Sequence, residues 1–362
     1  MRILHVITML DTGGAERLMV DLLPRLRNLG HDVELLLFNG VDTPFRAELE
    51  RQGIKIHELS HGHDVKKYRF RVYNPWNFVK MRKYLRHYDI IHTHNTACQL
   101  YAAMSRALFG GKVKLVTTEH NTTNRRRDMA WFKPIDRWMY RQYSKVVCIS
   151  EKTMENLKTH LGIEVPMCVI NNGVNVQRFM RPVADVAGKK QFVIAMVSAF
   201  REQKDHATLI KAMTHLPENY TLKLVGDGII RPQFEELSKE LSVSDRVEFM
   251  GNQMDIPGIL ENSDVVVLSS HWEGLSLSSV EGMASGRPFV ATDVDGLHEI
   301  VSGAGVLVPH YDDVALANEI RDLCENPERY RKVAEACQER AQRYDITVMA
   351  EGYSNLYRSL SM

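Results

Sequence analysis

The sequence of 362 residues has few cysteines and no long apolar run. Its five cysteines are scattered and never spaced as Cys-x-x-Cys, which argues against a disulfide framework and a structural zinc site. No apolar stretch approaches the roughly 20 residues that cross a bilayer, and the first ten residues lack the features of an export signal. Low-complexity stretches rich in proline or glycine are also absent. We therefore expect a folded cytoplasmic protein with free thiols.

Charge is balanced over the whole chain but not along it. The formal net charge is +1, yet the chain up to Asn172 contains 27 Lys and Arg against 17 Asp and Glu, and the remainder contains 19 against 28. A basic first part predicts an anionic partner, which nucleic acid, anionic lipid or a phosphorylated substrate could each provide. Solvated helix faces explain any single basic cluster equally well. The clusters are residues 66–71, 82–86 and 125–127.

Short runs rich in Val, Ile and Leu alternate with segments of helical period along the whole chain. This alternation predicts parallel strands that are buried on both faces by crossover helices. The chain is longer than one hydrophobic core usually supports. We predict two Rossmann-like, doubly wound α/β domains that face each other across a cleft, with functional residues directly after strands. The predicted strands are 3–8, 33–38, 90–93, 115–118 and 145–149 in the first half, and 192–198, 222–225, 247–250, 265–269, 288–291 and 305–308 in the second.

The predicted organisation has four parts. Residues 1–172 form the first domain, and residues 173–190 form a linker in which Pro182 and Gly188 interrupt any period. Residues 191–344 form the second domain. The tail, residues 345–362, carries apolar side chains at helical spacing, so we predict a helix that packs on either of the two domains.

A glycine pair, Gly13 and Gly14, stands between the first predicted strand and the helix after it. Such a turn lets backbone amides approach an anion at a helix N-terminus. A tight turn that simply requires glycine explains the pair equally well. The segment also lacks the GxGxxG order of a dinucleotide site, which disfavours an oxidoreductase.

Two carboxylates, Glu273 and Glu281, flank a loop rich in glycine and serine that follows an apolar strand. If a helix begins near Leu277, its dipole and the loop amides would attract a phosphate, and Glu281 could accept hydrogen bonds from ribose hydroxyls. Glu273 could bind the hydroxyls of another group nearby. Acid and base in glycoside hydrolysis are an alternative, but hydrolysis gives no reason for a phosphate-binding loop. Two surface glutamates would leave Trp272 unexplained.

Two cations, Arg201 and Lys204, also follow a predicted strand and precede a helical stretch. They could neutralise a leaving diphosphate, with arginine offering a bidentate fork and lysine a point charge. Ion pairs with Glu202 or Asp205 explain them equally well.

Three histidines lie at the ends of predicted strands: His92 within the strand 90–93, His94 directly after it, and His120 shortly after the strand 115–118. The segments His92-Thr93-His94 and Glu119-His120 fall on different strands and no HExxH helix exists, so we do not expect a metal site. A single histidine is more often a satisfied structural residue than a catalyst, but His120 has the location expected of a cleft residue.

Taken together, these segments resemble the retaining glycosyltransferases of family 4, which have the GT-B fold. The resemblance runs over nearly the entire chain. Its most specific element is EGLSLSSVE, the family's E-x7-E element, followed by ASGRP and ATDVDG. The segments GGAER, TEHN, CISE, NNGV, FREQK and VGDG align in order before it.

The resemblance implies a role for each matching residue. Glu281 would bind ribose, Glu273 would hold the hydroxyls of the donor sugar, and His120 would stand beside that sugar. Arg201 and Lys204 would clamp the diphosphate. The donor-binding residues would be Gly13, Gly14, Gly226, Asp227, Gly274, Leu275, Ser276, Leu277 and Glu281.

One position departs from the family pattern. Many relatives carry the clamp arginine five residues before the lysine, where this sequence has Ala199, so Arg201 would reach the phosphates from a shifted place. The resemblance includes no Asp-x-Asp metal motif; the one such triplet, Asp293-Val294-Asp295, lies within the matched ATDVDG segment. The resemblance therefore implies that no metal and no cofactor take part, with Arg, Lys and helix termini supplying the counter-charge.

The resemblance also implies the reaction and its partners. A sugar would move with retention from a nucleotide diphosphate sugar, most of all a UDP-sugar, to a glycan or lipid-diphosphate-linked acceptor in capsule or lipopolysaccharide synthesis. The first domain would hold the acceptor, the second the nucleotide, and the last helix would cross back to the first domain. A phosphorylase on the same scaffold and a non-catalytic nucleotide-sugar sensor are the alternatives.

We expect the basic first domain to touch the anionic inner face of the cytoplasmic membrane and to have no nucleic-acid partner. Aromatic residues interleaved with Arg and Lys suit such an interface, although core packing explains some of them equally well. These aromatic residues are Tyr68, Phe70, Tyr73, Trp76, Trp131, Phe132 and Trp138.

Overall fold

The computed structural model describes residues 1–11, 14–120, 129 and 131–361. The chain divides into two compact units, one formed by Met1–Gly173 with Ile346–Met362 and the other by Val174–Asp345. Each unit has its own parallel sheet. The prediction of two Rossmann-like, doubly wound α/β domains is therefore confirmed.

The first unit is built on a seven-stranded sheet in which every pair of neighbouring strands is parallel. Its strands are β1 (Arg2–Ile7), β2 (Asp32–Leu37), β3 (Lys55–Glu58), β4 (Ile90–Thr93), β5 (Lys114–Glu119), β6 (Lys145–Cys148) and β7 (Met167–Val169). The order β3-β2-β1-β4-β5-β6-β7 reverses between β1 and β4. Such a switch point is where open α/β sheets bind ligands, outside the carboxyl ends of the strands.

Helices follow most of these strands: α1 (Gly14–Asn28), α2 (Pro44–Arg51), α3 (Val65–Val72), α4 (Asn77–Met81), α5 (Thr96–Phe109), α6 (Phe132–Tyr140) and α7 (Glu151–Leu161). Alternate residues of a strand point to opposite faces of its sheet. Accordingly, Ile3 and Ile7 belong to one buried cluster, whereas Leu4 and Val6 belong to another. The first sheet thus has a hydrophobic core on each face.

The strands β3 and β7 were not predicted from the sequence. Both lie at the edges of the sheet and are short, and their residues are mostly half-buried. An edge strand has one neighbour and needs no continuous apolar run, so segments such as KIHE lack the signal that marks a central strand.

The second unit repeats the architecture with six parallel strands in the order β10-β9-β8-β11-β12-β13. They are β8 (Phe192–Val197), β9 (Tyr220–Val225), β10 (Val247–Gly251), β11 (Val265–Leu268), β12 (Phe289–Thr292) and β13 (Val306–Val308). Its helices are α8 (Val176–Phe179), α9 (His206–His215), α10 (Arg231–Glu240), α11 (Ile256–Glu261), α12 (Leu277–Ala284), α13 (Leu297–Val301), α14 (Asp313–Glu325) and α15 (Pro327–Gln342). The switch point lies between β8 and β11.

The segment between the predicted domains, residues 173–190, packs on the second unit from Val174 onward. It contains α8, and the side chains of Val176, Phe179 and Val186 are buried in the core of that unit. A few apolar residues thus anchor this segment to the core of the second unit, although Pro182 and Gly188 interrupt any regular hydrophobic period.

The last helix, α16 (Ile346–Ser361), belongs to the first unit and packs against α1. Met349, Tyr353 and Tyr357 are buried in the same cluster as Ile3 and Ile7. The tail predicted to be helical is therefore a helix that covers one face of the first sheet. In the part of the chain that the structure describes, no helix is both long and apolar enough to cross a bilayer.

Replacement of Tyr357 by alanine tests the contribution of α16 to the first unit. Tyr357 is fully buried, so Tyr357→Ala should lower the free energy of unfolding of that unit by about 3–5 kcal/mol, the usual cost of truncating a large core aromatic residue. Val348 on the same helix is 54% exposed, so Val348→Ala should change the free energy of unfolding by less than about 0.5 kcal/mol. Urea denaturation monitored by circular dichroism measures both; equal effects would show that α16 is not part of the first core.

Candidate active site

The loops that follow β8 and β11 run side by side at the carboxyl end of the second sheet. Lys204 and Ser270 form an isolated antiparallel bridge between these loops. Because β8 and β11 flank the switch point, the bridge lies where doubly wound sheets receive their ligands. Sequence motifs separated by about 70 residues thereby come together in one place.

An ion pair between the Lys204 ammonium and the Glu273 carboxylate forms the centre of this site. The Glu273 side chain is 6% exposed and that of Lys204 is 13% exposed, so water screens the pair only weakly. Ser270 Oγ donates to one carboxylate oxygen of Glu273 at 2.8 Å, and Gln203 Nε2 donates to the other at 3.0 Å. The carboxylate is therefore held in one orientation by three donors.

Arg201 is not brought to this pair. Its side chain is exposed, and among the described residues the guanidinium forms no ion pair. The backbone turns tightly here, since the Lys204 amide donates to the Arg201 carbonyl at 2.9 Å. The sequence alternatives of ion pairs with Glu202 or Asp205 do not describe Lys204, which pairs with Glu273 instead. Asp205 accepts hydrogen bonds from Thr208 at the start of α9.

The second carboxylate of the E-x7-E element, Glu281, lies on α12 and is half-buried. The helix begins at Leu277, as the sequence indicated, and the residue before it, Ser276, has the extended backbone of an N-cap. Its side chain does not bond the helix amides. The loop Gly274, Leu275 and Ser276 thus leads directly into a helix N-terminus, where backbone amides and the helix dipole attract anions.

Two further loops pack closely around this site, and each needs glycine to do so. Gly226 has a φ of 135°, and a Cβ there would lie 2.1 Å from the carbonyl oxygen of Ser198. Gly296 has a φ of 83°, and a Cβ there would lie 2.2 Å from the carbonyl oxygen of Gly274. Backbone therefore packs against backbone. Asp227, beside Gly226, is exposed, and its carboxylate accepts from the Gly228 amide at 2.7 Å.

A histidine pair lies close to the predicted cation site. His271 Nδ1 and His310 Nε2 are 2.8 Å apart, and Asp205 lies within the same group of potential metal ligands. Both carboxylate oxygens of Asp205 are already bonded to Thr208. This arrangement favours a structural role for Asp205 at the start of α9 over a role as a metal ligand.

In the first unit, His120 directly follows β5 and is half-buried. Its Nε2 lies 3.1 Å from Nδ1 of His94, which follows β4. Burial lowers the pKa of His120 to about 4, with a smaller opposing effect from the neighbouring Glu119 carboxylate. The imidazole is therefore neutral near pH 7 and offers one donor and one acceptor.

The glycine turn is described only in part. Gly14 is the first residue of α1, a 15-residue helix at the carboxyl end of β1. The predicted donor-binding residue Gly13 lies outside the described residues. The same holds for the basic cluster at residues 125–127.

The sequence did not indicate which residues contact the predicted site residues Glu273 and His120. Gln203 lies inside the FREQK segment and Ser270 lies three residues before EGLSLSSVE, but their contacts with Glu273 depend on the pairing of two loops and leave no local signal. The contact between His94 and His120 could have been inferred, because the two histidines are the first residues after two neighbouring parallel strands, β4 and β5.

Two family models match successive parts of this chain. The model for Glycosyltransferase Family 4 matches residues 12–178, and the model for Glycosyl transferases group 1 matches residues 182–340. The chain belongs to glycosyltransferase family 4.

Similar proteins are found among bacterial glycosyltransferases. The putative glycosyltransferase EpsD of Bacillus subtilis is 25% identical over 358 residues, which cover 88% of this chain and 93% of EpsD. The N-acetylgalactosamine-N,N'-diacetylbacillosaminyl-diphospho-undecaprenol 4-alpha-N-acetylgalactosaminyltransferase of Campylobacter jejuni is 23% identical over 357 residues, covering 94% and 95%. Anabaena HepE, crystallised with UDP, superposes with a TM-score of 0.81 at 22% identity over 99% of this chain and all of that one, which shows the same GT-B fold.

Breaking the buried ion pair of this family 4 glycosyltransferase should destabilise the second unit. Lys204→Met leaves the Glu273 carboxylate buried without its cation, so we expect a loss of about 3 kcal/mol in unfolding free energy. The double variant Lys204→Met/Glu273→Gln should recover most of that loss, because it removes both charges.

The pair between Lys239 and Glu236 provides a matched control, since both side chains are more than 60% exposed. Lys239→Met should change the unfolding free energy by less than about 1 kcal/mol. Urea titrations of the four proteins give the comparison. Equal losses for Lys204→Met and Lys239→Met would contradict the view that Lys204 and Glu273 form a desolvated pair.

Proposed function

We propose that this glycosyltransferase moves a sugar with retention, and without a metal ion, from a UDP-sugar to a lipid-diphosphate-linked glycan in the synthesis of a cell-surface polysaccharide. The observation that carries the proposal is the buried Lys204–Glu273 pair at the switch point of the second sheet. A fixed cation beside a fixed carboxylate suits a diphosphate next to a sugar, because one binds phosphate oxygens and the other binds hydroxyls.

The second unit is proposed to hold the nucleotide sugar. The Gly274–Ser276 loop and the start of α12 supply amides for the diphosphate, and Glu281 accepts hydrogen bonds from the ribose. Gly226 and Asp227 belong to the loop that packs against the segment after β8. The choice of UDP draws on HepE, whose crystal structures contain UDP and UDP-glucose.

The first unit is proposed to hold the acceptor, with His120 donating a hydrogen bond to the transferred sugar. The amide of Gly14, at the start of α1, is proposed to bind a phosphate. A lipid-diphosphate-linked acceptor is suggested by the relative from Campylobacter jejuni, whose name specifies a diphospho-undecaprenol acceptor. An anionic acceptor also agrees with the excess of Lys and Arg before Asn172.

The proposed mechanism is electrostatic. The bond from the anomeric carbon to the diphosphate oxygen breaks, the oxygen keeps the electron pair, and the sugar becomes oxocarbenium-like. Lys204 and the amides before α12 stabilise the charge that develops on the diphosphate, and Arg201 would add to this effect if its exposed side chain turns towards the phosphates. The acceptor hydroxyl attacks from the face that the diphosphate leaves and passes its proton to a diphosphate oxygen. No protein nucleophile is needed.

A donor panel tests this function directly. Binding and hydrolysis of UDP-, GDP- and ADP-sugars are measured in EDTA by calorimetry and product analysis, with wild type, Glu281→Ala and the control Glu236→Ala. We expect one UDP-sugar to bind selectively and Glu281→Ala to weaken it by about 100-fold, since two hydrogen bonds to a carboxylate are lost. Glu236 is exposed on α10, so its variant should bind normally.

The other outcomes separate the competing functions. Production of sugar 1-phosphate from inorganic phosphate would indicate a phosphorylase, and binding without any turnover would indicate a sensor. Lys204→Ala should lower turnover far more than it weakens acceptor binding, because its charge acts on the leaving group. Unchanged turnover would remove Lys204 from the mechanism, and an inverted anomeric configuration in the first product would contradict retention.

Exposed aromatic residues on the first unit support a proposed contact with an anionic membrane. Phe70 is 80% exposed and Trp76 is 67% exposed, with Arg69 and Lys67 beside them. Tyr73, Trp131 and Trp138 are also exposed, whereas Tyr68 and Phe132 are half-buried. Aromatic rings next to cations suit the interface of an anionic bilayer.

Vesicle sedimentation tests this contact. The variant Phe70→Ser/Trp76→Ser should bind vesicles of phosphatidylcholine and phosphatidylglycerol at least about tenfold more weakly, since two aromatic side chains no longer insert. Ile229, which lies in the second unit and is 98% exposed, provides the control variant Ile229→Ser. Equal binding by all three proteins, or equal binding to neutral vesicles, would contradict the proposed contact.

A further inference from the structure

A continuous run of side-chain hydrogen bonds crosses the first sheet beneath α16. It begins at His120 and passes through residues of β1, β4, β5 and α16. In order, its members are His120, His94, His5, Tyr357, His92, Thr118 and Tyr353. All of them except His120 are buried.

The alternation of the strands explains why these residues meet. His5 lies two residues after Ile3, and His92 lies two residues after Ile90, so the imidazoles share the sheet face that α1 and α16 cover. His5 and His92 are also direct partners in the pairing of β1 with β4. Polar side chains on a covered face must satisfy one another, because water cannot reach them.

The half of this hydrogen-bond chain next to His120 consists of three imidazoles. His120 Nε2 lies 3.1 Å from His94 Nδ1, and His94 Nε2 lies 2.9 Å from His5 Nδ1. His5 Nε2 in turn lies 3.3 Å from the hydroxyl of Tyr357. Each buried imidazole therefore uses both of its nitrogens.

The other half runs back across the sheet to α16. The Tyr357 hydroxyl lies 2.5 Å from His92 Nδ1, and His92 Nε2 lies 2.8 Å from Thr118 Oγ1. Thr118 Oγ1 lies 2.8 Å from the hydroxyl of Tyr353. Within the described residues, the Tyr353 hydroxyl has no other hydrogen-bond partner, so the chain ends there.

The imidazoles of this chain are neutral near pH 7. Burial lowers the pKa of His5 to about 3 and those of His92 and His94 well below the usual value, and neighbouring imidazoles lower the latter two further. Burial raises the pKa of Tyr353 and of Tyr357, so both phenols keep their protons. Each neutral imidazole carries one proton and accepts at its other nitrogen.

The terminal phenol fixes the direction of every bond in the chain. Tyr353 is fully buried, and its proton has Thr118 Oγ1 as its acceptor among the described residues. If the threonine donated instead, the phenol proton would be buried without a partner, which costs about 1–3 kcal/mol. Thr118 accordingly accepts from Tyr353 and donates to Nε2 of His92.

The remaining protons follow from this direction. His92 donates from Nδ1 to Tyr357, which donates to Nε2 of His5. His5 then donates from Nδ1 to Nε2 of His94, and His94 donates from Nδ1 to Nε2 of His120. The last imidazole must accept at Nε2 and so carries its own proton on Nδ1.

We propose that this chain, anchored at Tyr353 of α16, holds His120 in the Nδ1-protonated tautomer and makes His94, His5, Tyr357 and His92 positioning residues for it. The consequence for transfer rests on the proposed function, in which His120 binds the donor sugar. His120 then presents a neutral N–H donor and cannot act as a base through Nδ1. Free imidazoles of histidine prefer the opposite tautomer, so the protein must impose this one.

The same imidazoles could instead hold a metal ion, since ring nitrogens of His5, His92 and His94 lie within 4.8 Å of one another. Ligation would require each contributing nitrogen to give up its present hydrogen bond. The two arrangements are therefore mutually exclusive. Metal analysis of the purified protein decides between them: one equivalent of zinc, lost in His5→Leu, would overturn the proposal.

Nitrogen NMR of the intact protein, labelled with ¹⁵N-histidine, measures the tautomer in the absence of any substrate. Loss of a signal in His120→Gln identifies the imidazole of His120. We expect its Nδ1 to be protonated and its Nε2 to have the chemical shift of an unprotonated nitrogen. A predominantly Nε2-protonated His120 in wild type would overturn the proposal. Since no turnover is needed, this result stands apart from success or failure of the proposed transferase reaction.

Removal of single hydroxyl groups tests how far the chain extends. Tyr357→Phe interrupts it, and Tyr353→Phe removes the anchor, so both should give His120 a mixture of tautomers while the fold is kept. Tyr84 is the control, because it is a buried tyrosine of the same unit whose hydroxyl has no hydrogen-bond partner among the residues that the structure describes. Tyr84→Phe should leave the His120 signals unchanged. Unaltered His120 signals in Tyr357→Phe would contradict the proposal that the hydrogen-bond chain sets the tautomer of His120.

Kinetics of His94 variants test whether the tautomer matters for transfer. A glutamine side chain offers one donor and one acceptor at nearly the spacing of an imidazole, whereas leucine offers neither. We expect His94→Leu to lower kcat about tenfold with little change in KM, and His94→Gln to recover most of the loss. Equal kcat in both variants, with His120 still Nδ1-protonated, would overturn the positioning role.

Discussion

The double burial of the parallel strands is the constraint on which the structure of this glycosyltransferase depends. A strand covered on both faces cannot expose a polar side chain along its length, so charged groups concentrate where strands end. The Lys204–Glu273 pair lies at such an end, between the loops of two adjacent strands. His120 occupies the corresponding position after β5 in the first sheet. The candidate functional residues of both units therefore lie just after the ends of strands.

The interior histidines of the first sheet show what the same constraint demands of polar groups that are buried. His5 and His92 lie on a covered face, where burial lowers the pKa of each imidazole and keeps it neutral, and each ring nitrogen has a protein partner. The second unit meets the constraint in another way, with glycines that let loop backbones touch. Gly226 and Gly296 allow approaches that any side chain would block. The first unit thus satisfies its buried imidazoles through a side-chain network, and the second unit relies on close backbone packing as well as on side-chain contacts.

Much of this could be read from the sequence, because its signals are local. The central strands are continuous apolar runs, and the E-x7-E element is a compact motif, so the fold class and the start of α12 at Leu277 were both predictable. The edge strands β3 and β7 lack such runs and were missed. The partner of Lys204 was also missed, since it depends on two loops that meet only in the folded sheet. The roles of Arg201 and Glu281 towards a donor remain predictions.

The chain leaves the first unit at Gly173 and returns to it at Ile346, and this topology has an evolutionary consequence. Val174 and Asp345, the two ends of the second unit, pair with each other in a β-bridge. On the other side of the junction, a Cβ on Gly173 would lie 2.6 Å from the Cα of Ile346. The second unit is thus an insertion with adjoining ends. Recombination could exchange residues 174–345 as a single cassette through two neighbouring junctions, leaving α16 and the histidine chain in place.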